Sequence, residues 1–497
     1  MEAMKHKRLI IILSVVLVVC AALVLTADRI ARRVAMKQLA RLTAENELML
    51  TLSDMQVRLL HGSVRLDTLS VSLALPDTLT GDTTFVDLTV PRLHVAPIHW
   101  ITLARKRVVH IGKISISDAS VALRKKNDKT RLSADSLSLT VRDIRYSIAD
   151  TTLTYNDSLY HISAAHVDYT TPDGLFRAVI GSLMTEDAGG ITLTDIAGGN
   201  TDKKEEHADK MGKCETTWAQ FKLRQVSTSP LNLIRMVQQQ QVSLDSLRID
   251  GQLVDLYYDT HYPPKQPYPL PQQSLAAVKM PLQINHMTAA LGKLHIGMTT
   301  DAVHAGYLDL MHTDARITNI ANAPGSTMHA ALTTHFAGGG DIRVKMAMKV
   351  NERCALTFDA DLTNVKGSSL TSIAKPLYGV EIGCNFHSIS TRCHGDKDTL
   401  GGTFCMRYDS LRLHVDDKGP IKELSSLSGL INAFATVVLF DKNPRFPDQE
   451  PKAFTVKASY DPMQPFPAYF IAAIVDGMAQ TVMPFGLGKG IMNKKKP

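Results

Sequence analysis

The sequence predicts a mainly β protein carrying one N-terminal membrane-spanning helix and short C-terminal helices. Three observations lead there. Apolar and polar residues alternate with period two over most of the chain. An Asp-Ser/Thr-Leu phrase recurs at Asp67-Thr68-Leu69, Asp135-Ser136-Leu137, Asp245-Ser246-Leu247 and Asp409-Ser410-Leu411. A long uncharged apolar run stands near the amino terminus. With 497 residues, 44% of them hydrophobic, the chain is long and apolar enough to fold, in two or three domains or one elongated one.

Residues 1–8 read as a short cytoplasmic tail containing Lys5, Lys7 and Arg8. Residues 9–27 form an uncharged stretch in which 13 of 19 side chains are Leu, Ile or Val. At about −0.3 to −0.6 kcal/mol each, those 13 favour insertion by roughly 4–8 kcal/mol. Nineteen residues just span a bilayer core, so this is the expected anchor. Cleavage as a signal peptide after Leu25-Thr26-Ala27 is the competing reading. The length of the run, and Arg29, Arg32 and Arg33 directly behind it, favour retention. Counting basic flanks slightly favours the reverse orientation, but the strand-rich remainder looks exported, as long domains are regardless of flanking charge. Residues 28–50 lack Gly and Pro and read as a helix leading out of the membrane.

From residue 51 the period changes to two. The apolar side of the first β half, 51–197, includes Leu69, Val71 and Leu73, then Ile114 and Ile116, then Leu137, Leu139 and Val141. In the second half, 214–424, it includes Leu247 and Ile249, then Leu411, Leu413 and Val415. These thirteen are the candidate surface. In the Asp-Ser/Thr-Leu phrase the Asp-Ser/Thr pair reads as a turn placed ahead of each strand. Residues 110–123 and 243–256 share a finer feature. Aligning Ile114 with Leu247 also matches Ile116 with Ile249, Val121 with Val254 and Leu123 with Leu256. In both segments the apolar phase switches in between, at Ser117-Asp118 and at Asp250-Gly251. A bulge or tight turn there would return the apolar residues to one side.

Residues 198–213 are charged, with apolar content only at Ala208 and Met211, and read as a solvated linker. Residues 231–241 suggest a short helix. Five prolines in 262–273 mark a loop that cannot join a central strand. In 425–497, Leu427, Leu430, Ile431 and Phe434, then Phe466, Tyr469, Phe470 and Ile474, recur at helical spacing, predicting a helical cap.

No catalytic constellation appears, and no enzyme activity or cofactor is expected. HExxH, phosphate-loop, nucleophile-elbow and dinucleotide motifs are absent. Cys384, His387, Cys393 and His394 do not have zinc-site spacing, so no metal is expected. Cys393 and Cys405 flank a turn-like 396–402; they either face each other across a hairpin or are small buried hydrophobes. A net charge of +7 on 103 charged residues, without a basic stripe among aromatics, argues against nucleic acid.

Several passages together resemble the AsmA-like family of Gram-negative envelope proteins, relatives of the TamB-type proteins. They are the anchor followed by the Ile-x-Ile-x-Asp-x-x-Val-x-Leu phrase at 114–123; Val380-Glu381-Ile382-Gly383 leading to Gly401-Gly402-Thr403-Phe404; and Asn443-Pro444, 465–469 and Asp476-Gly477. The resemblance implies an inner-membrane anchor and a periplasmic, elongated, taco-like curved sheet whose apolar groove takes phospholipid acyl chains. It implies a part in phospholipid transport between inner and outer membranes, with a further envelope protein as a partner at the distal end. The alternative is a non-catalytic assembly or scaffolding factor for outer-membrane protein biogenesis. The charged 198–213 segment and the short length depart from the family.

Overall fold

The computed structural model describes residues 48–58, 62–76, 83–99, 102, 107–147, 152–154, 160–186, 189–231, 241–300, 303–416, 440–446 and 448–482. The expected anchor at 9–27, the possible helix at 231–241 beyond Leu231, and the apolar 427–438 stretch lie outside them. The fold is mainly β, in open sheet. The chain divides into two compact units, the first running to Thr201 and including Pro230–Leu233, the second formed by Asp202–Ser229 and Ile234–Pro497.

The first unit is an antiparallel meander: β1 (Leu48–Arg58), β2 (Ser63–Pro76), β3 (Thr83–Val95), β4 (Val108–Lys125), β5 (Arg131–Ser147), β6 (Thr152–Thr154), β7 (Tyr160–Thr170), β8 (Phe176–Thr185) and β9 (Ile191–Asn200). Each strand pairs with the next, except that β5 pairs with both short β6 and β7. Of the helix expected over 28–50, residues 28–47 lie outside the described ones, and 48–50 are strand, with Leu48, Leu50 and Leu52 paired with Leu73, Val71 and Leu69.

The second unit contains β10 (Thr216–Thr228), β11 (Val242–Asp259), β12 (Leu282–Thr299), β13 (Ala305–Ala321), β14 (Thr327–Phe336), β15 (Asp341–Lys349), β16 (Leu356–Lys366), β17 (Val380–Gly395), β18 (Thr399–Val415) and β19 (Ala453–Ser459). All neighbours are antiparallel except β11 and β12, whose parallel pairing requires the proline-rich crossover. Its helices are α1 (Lys204–Lys210), α2 (Pro271–Ala276), α3 (Gly367–Tyr378) and α4 (Phe466–Val482). The crossover carries α2 and touches both margins of this unit's sheet. The Tyr268 N–H donates to Pro462 O at 2.7 Å, the Tyr460 hydroxyl donates to Tyr268 O at 2.5 Å, and the Tyr268 side chain hydrogen-bonds Glu215. Leu270 behind it is fully buried.

Three expectations are corrected. The 198–213 segment, within which the boundary between the two units falls, is mostly exposed but not without structure: it ends β9 and forms α1, which buries His207 and Ala208. His207 enters because its Nδ1 meets the Asp202 carboxylate at 3.0 Å, and the Trp218 indole donates to Asp202 O. The 425–497 cap includes a strand, β19, beside its helix. Cys393 and Cys405 do not face each other. Cys393 is opposite Gly402 and Cys405 opposite Ser390, which places the two cysteines on opposite faces.

The fourth correction concerns the recurring phrase. It does not precede strands; in β2, β5 and β18 it lies in mid-strand, with Thr68, Ser136 and Ser410 at φ of 51°, 49° and 56°. The left-handed backbone advances the alternation by one residue. Leu66 is followed on the same face by Leu69, Ala134 by Leu137, and Tyr408 by Leu411. In the third copy the Asp245 and Ser246 amides donate to Ser229 Oγ at 2.9 and 3.0 Å, without a left-handed residue.

The two phase switches expected at Ser117-Asp118 and Asp250-Gly251 are register irregularities. In β4 and β5 the register shifts on either side of Ala119, with Asp118 at φ 56°. In β10 and β11 it shifts on either side of the Leu223–Gly251 pair, and the extra residue of β10, Arg224, pairs with Asp250. In the first unit the switch forms a line across neighbouring strands, through Thr68, Asp118, Ser136 and His166 of β2, β4, β5 and β7.

Candidate functional site

Residues directly opposite each other on neighbouring strands share a face, so the register defines the first unit's apolar surface as rows. One row is Leu66, Leu93, Ile116, Leu139 and Ile162. The next is Val64, Val95, Ile114, Val141 and Tyr160. On the other side of the phase line run Val71, Leu88, Val121 and Ala134, and then Leu73, Val86, Leu123, Leu132 and Tyr169. Leu69 and Leu137 pack with Ile114, Ile116 and Val141 against one buried cluster, so both sides of the line present one apolar face.

That face is graded along the strands. At one end Val64, Val95 and Ile111 are at most 1% exposed. There residues 96–99 fold over the strands: the Ile98 amide donates to Gly62 O at 2.8 Å, and the Gly112 amide donates to Pro97 O at 2.8 Å. A Cβ on Gly62 would stand 2.7 Å from Ile98 O and at φ 57°, so glycine is needed for this closure. Toward the other end the face opens. Leu69, Val71, Leu73, Leu88, Val121 and Leu123 are half-buried, and Leu132 and Tyr169 are 36% and 38% exposed. No helix among the described residues of this unit packs on the face. The reverse face is polar, as where the Ser72 hydroxyl donates to Asp87 Oδ1 at 2.7 Å.

Thus eight candidates, Leu69, Val71, Leu73, Ile114, Ile116, Leu137, Leu139 and Val141, are gathered on one half-buried surface. The other five lie in the second unit, where the apolar face is mostly filled. Phe358, Phe386, Phe404, Met406 and Tyr408 are buried in one cluster with Tyr469 and Phe470 of α4. Phe470 stacks on Phe358 at 4.2 Å, and Gly477 lies so close to Phe404 that a Cβ would be 2.2 Å from its ring. Leu411 packs against this core, Leu413 is half-buried and Val415 is buried. Leu247 and Ile249 stand apart, half-buried in rows with Met287 and Ile317 and with Ala289 and Ala315. The open-end residues Leu132 and Tyr169 were missed by the sequence reading. Their signal was the alternation 132–134 and 167–169, short stretches ended by left-handed residues.

Burial pushes the Cys384 thiol up to about 12 and the Cys393 thiol to about 11, which leaves both protonated and unreactive at neutral pH. Asp409, at the phase switch of β18, accepts from Asn385 Nδ2 at 2.8 Å and meets His387 Nε2 at 2.6 Å. Hydrogen bonds from Asn385, Ser410 and His387 hold its carboxyl down at about 2. Among the described residues no three His, Cys, Asp or Glu side chains are grouped to hold a metal. His387 is exposed while Cys384 and Cys393 are buried, which separates the sequence candidates. No helix among the described residues is long and apolar enough to cross a membrane.

Comparison with protein-family models, with curated proteins and with solved structures finds no match for this chain.

Proposed function

We propose that the chain is a membrane-anchored envelope protein that binds or shields lipid acyl chains on the apolar face of its first unit. In this reading the face is the wall of a taco-like groove, residues 9–27 hold the protein in the inner membrane, and the bulk is periplasmic. The role is phospholipid passage between inner and outer membranes, as the AsmA-like resemblance suggests. The observation that carries the reading is the half-buried apolar face that runs from a closed end to an open one and on which no helix among the described residues packs. Methylene groups covered there gain about 0.8 kcal/mol each relative to water. A chain drawn from a bilayer leaves one apolar medium for another, so the exchange is close to neutral and non-directional. A row of Leu, Ile and Val therefore suits movement along the face more than tight capture.

The strand alternation supplies an internal control. A benzophenone side chain placed at Leu139, on the apolar face, should crosslink phospholipid in membranes carrying the full chain. The same group at Thr140, on the reverse face, should not. Equal labelling at the two positions, or none at Leu139, would remove the proposal.

A further inference from the structure

We infer that the β4–β5 hairpin is a docking tip for an anionic phospholipid bilayer, placed where the first unit's apolar face opens. This rests on the lipid reading above and assigns the surface that presents the open end to the membrane.

Arg124, Lys125, Lys126, Lys129 and Arg131 cluster at the tip against the single Asp128, a net of +4, and all five are exposed. The tip is held in place rather than free. The Lys126 amide donates to Thr83 O at 2.9 Å, the Lys129 amide donates to Pro172 O at 2.8 Å, and the Lys129 stem lies over Gly174. The Arg124 guanidinium sits 5.1 Å over the Phe85 ring. Of the nearby carboxylates, Asp128 pairs with Lys125 and Asp168 with Arg177, while Asp173, which accepts from the Thr171 hydroxyl, also interacts with Lys129 of the tip. Beside these charges stand the exposed Leu132 and Tyr169, opposite each other in the outermost apolar row.

The backbone of Leu48 pairs with Leu73 of the same row. The chain therefore enters the sheet at its open, basic end, after 20 residues that separate it from the apolar run at 9–27. Those 20 residues reach at most about 70 Å when extended. A tether, a basic tip and an apolar rim at one end of the sheet are what a surface of anionic headgroups over acyl chains complements. Each basic residue near such a surface strengthens association by about fivefold, and salt screens the effect.

Hydrogen exchange on the full chain in lipid nanodiscs tests this. Discs of phosphatidylcholine alone are compared with discs containing about a third phosphatidylglycerol. Amides of 126–130 should exchange several-fold more slowly in the anionic discs, and the protection should vanish in high salt. It should also vanish in the Arg124→Glu, Lys126→Glu, Arg131→Glu variant, whose β7–β9 amides serve as the folding control. Equal exchange in both discs assigns the tip to some other acidic partner and overturns the inference, as does salt-insensitive protection in the wild-type chain. Lipid retained by the same preparations is measured in parallel. Docking without retained lipid counts against the proposed function alone, whereas retained lipid without docking overturns only the docking tip.

Discussion

At the residue scale, the phase of the alternation is controlled by a few short polar side chains in the left-handed region. Asp118, Ser136 and Ser410 have φ of 56°, 49° and 56°, where a β-branched residue is strained more than a small polar one; Thr68 and His166 hold the same region against that preference. Ser136→Val should lower stability by about 1–2 kcal/mol, while Ser136→Gly should leave it within about 0.5 kcal/mol, as read from denaturant midpoints. Equal losses would mean that backbone conformation is not what Ser136 supplies. Asp409 makes a second prediction with a defined sign. Its folded pKa, about 2, is depressed, so its stabilisation is present above the unfolded value near 4 and lost as pH falls toward 2. Asp409→Asn should therefore lower the melting temperature slightly at pH 7 and have no effect near pH 2. The exposure of the pair keeps the neutral-pH loss to at most about 1 kcal/mol. These sites were only half legible. Asp-Ser and Asp-Thr suit a turn and a left-handed bulge equally well, so the phrase marked special backbone without saying whether the strand stops or continues. The shared switch in 110–123 and 243–256 was more informative, because alternation resuming in the opposite phase requires a strand that goes on.

Among the elements, period-two strands were readable wherever one face is apolar, and α4 was readable from Phe466, Tyr469, Phe470 and Ile474. α1 was not, since a seven-residue helix with little more than Ala208 as apolar content has no periodicity to display. Its burial depends on pairing His207 with Asp202, a tertiary contact absent from any local pattern. α4 packs closely on β18 where Gly477 meets Phe404. Gly477→Ala should push α4 off Phe404 and cost about 1–3 kcal/mol, as overpacking does. Thermal unfolding of the variant checks it, and an unchanged midpoint would show that α4 yields without cost. The same packing buries Cys384 and Cys393, so a maleimide at pH 7 should leave both unmodified until the protein is unfolded. Modification of the folded chain, located by peptide mapping, would contradict the packed second unit.

For the molecule as a whole, the apolar face is packed differently in the two units. Sequence could not separate them because Leu139 and Met406 obey the same alternation; one is half-buried and the other lies in the cluster under α4. What decides is the third layer. α3 and α4 supply it in the second unit, whereas no helix among the described residues supplies it in the first. A charged substitution on the half-buried stretch should therefore be tolerated by the fold, whereas Val64→Glu, at the closed end, should not yield folded protein. The most direct measurement is the phospholipid retained by the full chain purified from membranes, beside the Leu123→Glu, Leu139→Glu variant. The wild-type chain should carry phospholipid, and the variant should fold and lose most of it. A folded wild-type chain without lipid, or a variant that retains as much, would contradict a lipid-binding face.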